Sequence, residues 1–190
     1  MIGWARYLNM RPVRVIEGTR FSLNLEAKVS NRKKAIIEDL IKESRKTIAF
    51  FQSIQPDQLH AQVYQDEPRW TVRQVLAHFI TIERSMQWLF LNILEGGAGT
   101  PEDFDLDRYN RTQPVKLDGF SLDELIAKFT AVRRKTVAIV DGMDDADLDR
   151  QGRHVFFGHG RLEQFISWAS EHERRHKEDV RKVLAGIRVD

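Results

Sequence analysis

The sequence predicts an all-α fold, a four-helix bundle with an N-terminal extended arm or short strand. Three observations lead there: four long segments repeat their apolar residues at helical spacing, stretches rich in Gly, Pro and Asp separate them, and two of the four open on capping-box residues. At 190 residues and 42% hydrophobic composition the chain can bury a substantial core in one globular unit. We divide it into an arm, residues 1–29, and a helical domain, residues 30–190.

In the arm, Phe21, Leu23, Leu25, Ala27 and Val29 alternate with polar residues, the period of a half-buried strand. A strand at a subunit contact and a plain extension laid on the bundle both fit. The first helix is expected from about Asn31 to Ile54, with Ile37, Leu40, Ile41, Ile48 and Phe51 on one stripe and Pro56 beyond its end. The second opens with Thr71 and Gln74 at capping-box spacing, runs through Val75, Phe79, Ile82, Met86, Leu89 and Ile93, and stops at Gly96 and Gly97. A polar loop, residues 98–119, precedes the third helix, which starts at a Ser121/Glu124 capping box and continues through Leu125, Phe129, Val132 and Val140 to about Gly142. A connection of acids, glycines and an aromatic pair leads to the fourth helix, about Arg161 to Ala185, whose stripe includes Leu162, Phe165, Ala169, His172, His176 and Val180. Bundles are built from amphipathic helices of this length.

Lys plus Arg number 30 and Asp plus Glu 28, a net charge of +2 with the signs interspersed, so no concentrated basic face for nucleic acid or anionic membrane is expected. The absence of cysteine excludes disulfides, thiolate nucleophiles and Cys-ligated clusters, and leaves His, Asp and Glu to hold any metal. No segment has the apolar length of a membrane span and the N-terminus lacks a secretory apolar core, so a soluble cytoplasmic protein is expected.

The histidines carry the functional reading. His172 and His176 stand one helical turn apart within the apolar stripe of the fourth helix, and His78 interrupts the stripe of the second between Val75 and Ile82. Burying three facing imidazoles is costly: charged they repel, and neutral they need several partners. One divalent cation removes both problems, since neutral imidazole is a good ligand for Zn, Ni, Mn or Fe. The competing reading is three unrelated polar interruptions of the core. His60, His154 and His159 fall in connections; the last two could line a site mouth, but an ordinary loop role is expected for them.

Residues His172–His176 also match H-E-x-x-H, the signature of zinc proteases in which the Glu serves as general base. Those proteases usually take a third ligand downstream, whereas 14 residues follow His176 here and lack the G-x-x-H extension, which argues against that activity. For Glu173 the expectation is an exposed pair with Lys177 at i+4, ahead of a role in orienting or deprotonating a metal-bound ligand.

WTVRQVLAHF with Trp70 and His78, Glu83 five residues on, the loop DFDLDRYNR, and GRHVFFGHGRLEQF followed by SEHERRH together resemble the DinB/YfiT-like family of bacterial metalloproteins over about residues 31–187. The chain departs at Gly160-Arg161, where relatives often have a Ser or Thr cap. The resemblance implies an up-up-down-down bundle, often a homodimer, with a zinc, nickel or similar ion held by His78, His172 and His176. It further implies a small-molecule substrate: characterised relatives include S-transferases using thiols such as bacillithiol or mycothiol and a mycothiol-dependent maleylpyruvate isomerase, and others are classed as metal-dependent hydrolases. Three protein ligands leave a position open, as in catalytic sites. The reading is therefore a metal-dependent thiol S-transferase or related hydrolase, with a non-catalytic metal-stapled or ligand-sensing bundle as the alternative. No catalytic residue beyond the ligands is assigned.

Overall fold

The computed structural model describes residues 31–66 and 68–189; the arm expected over residues 1–29 lies outside them. Four long helices make the bundle: α1 (Asn31–Gln52), α2 (Val72–Leu94), α4 (Leu122–Asp141) and α6 (Leu162–Leu184). Shorter elements connect them: α3 (Leu106–Thr112), α5 (Asp145–Leu148) and the antiparallel hairpin β1 (Gln151–His154) with β2 (Gly158–Arg161). Both expected capping boxes form. The Thr71 and Ser121 hydroxyls accept from the N–H of Gln74 and Glu124, and those side chains accept in return from the cap N–H groups. At α6 the cap position is Arg161, whose side chain makes no capping bond; the Leu162 N–H instead donates to the Arg150 carbonyl at 2.9 Å.

α1 and α2 each pack against both α4 and α6, so α1 and α2 lie diagonally across the bundle. One end of the core gathers Phe51 from late α1, Val75 and Phe79 from early α2, Leu125 and Phe129 from early α4, and Val180 from late α6. The other gathers Ile36 and Leu40, Phe90 and Ile93, Val140, and Leu162 and Phe165. Hence α1 and α6 run one way and α2 and α4 the other. The bundle is four-helical as expected, but its directions are up-down-down-up and not the expected up-up-down-down. The cause lies in the connection after α1. A 3-10 turn at Gln58–His60 and the Gln62↔Thr71 bridge fold it back on itself, so α2 starts at the end where α1 stops. The long return is made instead by residues 95–121, past α3 and a 3-10 turn at Pro114–Leu117.

Between the two apolar clusters lies a buried polar belt. The Arg133 guanidinium (α4) donates to both oxygens of Glu83 on α2 at 2.8 and 3.1 Å, to the Leu40 carbonyl on α1 at 3.1 Å, and to Glu173 on α6. Lys177 (α6) donates to Glu43 and, at 2.9 Å, to Thr47 on α1, while the Thr47 hydroxyl donates to Glu173 at 2.6 Å. The belt explains why α1 is rotated from its expected stripe: Glu43 and Thr47 face inward with Ile36, Leu40 and Phe51, and Ile41 is 36% exposed. The belt also corrects two expectations for α6. Glu173 is buried and held by Arg133 and Thr47, and Lys177 pairs with Glu43.

Candidate metal centre

His78 comes from the first turns of α2 and is fully buried, with the Trp70 indole stacked on its ring at a centroid distance of 4.1 Å. His172 and His176 come from successive turns of α6, the neighbour of α2, and are partly exposed. The three rings converge through their outer edges: Nε2 of His172 lies 3.1 Å from Nε2 of His78 and 2.9 Å from Nε2 of His176. One ligand atom from each of the three lies within 4.8 Å of the others, and among the described residues this is the one such group of His, Asp and Glu side chains. An ion with bonds of about 2.0–2.1 Å wants tetrahedral donor atoms about 3.3 Å apart, so the spacing suits a shared first-row metal.

The charge state fits as well. Burial, followed by the neighbouring imidazoles, pushes His78 and His172 well below the usual histidine range. Burial lowers His176 to about 4 despite the opposing pull of Asp179. All three are therefore neutral near pH 7, the form in which imidazole binds metal. Three lone pairs this close repel unless something positive lies between them, and one shared ring proton could relieve only one of the two short contacts.

Hydrogen bonding fixes the tautomer of His176. Tyr64 has one hydroxyl proton, which it donates to Asp179 Oδ2 at 3.0 Å. Its oxygen therefore accepts from His176 Nδ1, which leaves the Nε2 lone pair of that neutral ring aimed at the cluster. Outer-shell carboxylates and phenols commonly orient ligating histidines in this way. The Tyr64 phenol is itself pushed up by burial and then by Asp179, so it stays protonated. Around this centre stand aromatic walls. Trp70 and Phe79 pack on the buried side, and Trp168 lies 5.7 Å from His172, with the exposed Phe156 stacked on its ring at 5.5 Å.

All three ligand candidates read from the sequence are thus brought together. The loop histidines are not. His60 and His159 are exposed. His154 is buried, its Nδ1 accepting the backbone N–H groups of Phe156 at 3.1 Å and Phe157 at 3.4 Å, so it pins the hairpin turn. Glu83 and Glu173 face the belt, which removes the general-base role that the H-E-x-x-H pattern assigns to Glu173. Sequence reading missed Tyr64, Asp179 and Trp168. Asp179 had a signal, since i+3 from His176 shares its helical face; Tyr64 had none, because its placement depends on the path of an irregular connection.

Comparison with known proteins is consistent with this architecture. The family model of the DinB superfamily matches residues 40–180. YfiT from Bacillus subtilis, described as a probable metal-dependent hydrolase with an unusual four-helix bundle topology, superposes with a TM-score of 0.66 at 18% identity over 85% of this chain and 92% of its own. An uncharacterized protein from Clostridium difficile 630 gives 0.65 at 17% identity over 83% and 98%. The colibactin self-resistance protein ClbS, solved in complex with dsDNA, gives 0.61 at 11% identity over 79% and 93%. At these identities the likeness establishes the fold. Among curated proteins, none matches the chain in sequence.

Proposed function

The chain belongs to the DinB superfamily, and from that premise we propose that it holds one divalent metal ion on His78, His172 and His176 and acts as a metal-dependent enzyme on a small-molecule substrate. The observation that carries this reading is the convergence of three neutral imidazole Nε2 atoms from two helices on one point, with contacts of 2.9 and 3.1 Å. His78, His172 and His176 would hold such an ion, and it would supply Lewis acidity to a water, a thiol or an electrophile.

The chain's own residues prepare that chemistry. Tyr64 and Asp179 hold His176 in the ligating tautomer, and the Trp70 ring keeps solvent off His78. The partial exposure of His172 and His176 marks the side from which a substrate reaches the centre. The reaction proposed is transfer of a low-molecular-weight thiol to an electrophile, a chemistry for which the cysteine-free chain must borrow its nucleophile. Hydrolysis is the second reading, favoured by the likeness to YfiT. A cytoplasmic homodimer belongs to the same proposal, by family analogy; no helix among the described residues is long and apolar enough to cross a membrane.

Elemental analysis of the purified protein beside His78→Ala tests the metal. Near-stoichiometric metal in the wild type and its loss in the variant are expected, whereas the same substoichiometric trace in both would refute the site. A thiol-conjugation screen against an ester-hydrolysis screen on the metal-loaded protein then separates the two reactions, and inactivity in both would favour a metal-stapled or ligand-sensing bundle.

A further inference from the structure

Among the described residues, two buried side-chain polar atoms make no hydrogen bond, Nδ1 of His78 and Oδ1 of Asn110. Buried polar groups are nearly always paired, so each calls for an explanation. Their chemistries are complementary. With its Nε2 lone pair turned to the cluster, neutral His78 carries its proton on Nδ1 and is a donor there; the amide oxygen of Asn110 is an acceptor.

Their places in the fold are adjacent too. The Trp70 ring that stacks on His78 donates through Nε1 to the Asn110 carbonyl at 3.3 Å. The next residue back on α3, Tyr109, donates to the Thr81 carbonyl at 2.7 Å, and the Thr81 hydroxyl donates to the carbonyl of His78 itself at 3.1 Å. α3 is therefore pinned to the His78 turn of α2 on two sides, with the Asn110 backbone carbonyl on the edge of the same indole. His176 has its outer-shell acceptor in Tyr64, and His172 is partly exposed. His78 is the ligand candidate that is fully buried and still lacks an acceptor.

We propose that Asn110 is the positioning residue for His78: the two groups make no direct bond to each other, and a single water bridging them passes the hydrogen bond of Nδ1–H on to the amide oxygen, so holding Nε2 toward the metal. This rests on the three-histidine metal reading above. Outer-shell partners of this kind are worth about 10–100-fold in metal affinity.

The test is zinc affinity of the full chain by competition with a chromophoric chelator, for wild type, Asn110→Leu, Asn110→Asp and His78→Ala. Asn110→Leu should bind zinc about 10–100-fold more weakly. Asn110→Asp, which keeps an acceptor, should bind at least as tightly as wild type. In nitrogen-15 spectra of the zinc-loaded protein, the His78 Nδ1–H should exchange slowly in wild type and Asn110→Asp and be lost in Asn110→Leu, a signature that a merely structural role for Asn110 would leave in place. Should Asn110→Leu not fold, Asn110→Ser, too short to reach, carries the same expectation. Wild-type affinity in the Leu or Ser variant, or a loss in Asn110→Asp as large as theirs, would overturn the assignment of Asn110. Retention of zinc by His78→Ala would overturn the metal reading as well, whereas its loss there with an unaffected Asn110→Leu would sink Asn110 alone.

Discussion

Arg133 grips Glu83 through two parallel N–H···O bonds of 2.8 and 3.1 Å, deep between helices that are distant in sequence. The same guanidinium reaches Glu173 and the Leu40 carbonyl, so one side chain of α4 is bonded to each of the other three long helices. Glu83 lies five residues after His78, and Glu173 lies between His172 and His176. The register of the two helices that present the imidazoles is thus referred to a single fixed point.

Arg133→Met should therefore be severely destabilising. It leaves two buried carboxylates without their cation, a situation that costs about 3–5 kcal/mol. Denaturant unfolding of the metal-free protein measures it. A loss below about 1 kcal/mol, the scale of an exposed ion pair, would mean that the belt does not bind the helices together.

Tyr64→Phe should weaken zinc binding by about 10–100-fold, because it removes the oxygen that holds the proton of His176 on Nδ1. The fold should change little, since the ring and its packing against Trp70 are kept. Chelator competition reads the affinity and thermal unfolding reads the stability. An unchanged affinity would show that His176 needs no such partner.

The stability that buried neutral histidines give the metal-free protein should be lost as the pH falls below about 6.5, against an opposing gain from Glu173, which burial pushes up to about 7. Burial pushes both His154 and His176 down to about 4, so between pH 6.5 and 4 the unfolded chain takes up protons that the folded chain refuses. Their contribution is complete above pH 6.5 and disappears progressively as the pH drops toward 4, at about 1 kcal/mol per pH unit for each imidazole. Unfolding curves between pH 7.5 and 4.5 would show the slope. In His154→Phe it should be shallower, and a slope unaltered there would place His154 among solvated groups.

Duplex DNA should not bind the chain in a salt-dependent way. ClbS was solved with dsDNA, but it shares 11% identity with this chain, whose Lys and Arg number 30 against 28 acidic residues. Fluorescence anisotropy of a labelled duplex at two salt concentrations decides it, and an affinity that falls steeply with salt would reveal a phosphate-binding face.

The helices and the three imidazoles were legible because the features that encode them are local. A capping box such as Thr71 and Gln74 closes over three residues, an apolar stripe repeats every three or four, and the step from His172 to His176 is a single turn. Where a local pattern misled, a distant partner was the cause. The stripe drawn through Ile37 and Ile41 ignored Glu43 and Thr47, whose burial is tolerable because Lys177, from more than a hundred residues away, meets them. Nothing local to Glu173 marks it as buried, because its partner Arg133 stands 40 residues earlier on another helix. The loop preceding α4 also hid α3, a seven-residue helix with little periodicity to detect.

The sequence by itself determined that amphipathic helices of this length would form and that His78, His172 and His176 would stand on inward faces, since backbone geometry converts spacing directly into direction. Only the tertiary structure decided that α2 and α6 are neighbours, that the bundle runs up-down-down-up, and that Tyr64 and Trp70 close around the centre. Those outcomes depend on where connections turn and which buried charges find partners, and such contacts join positions too far apart along the chain for any local repeat to record them.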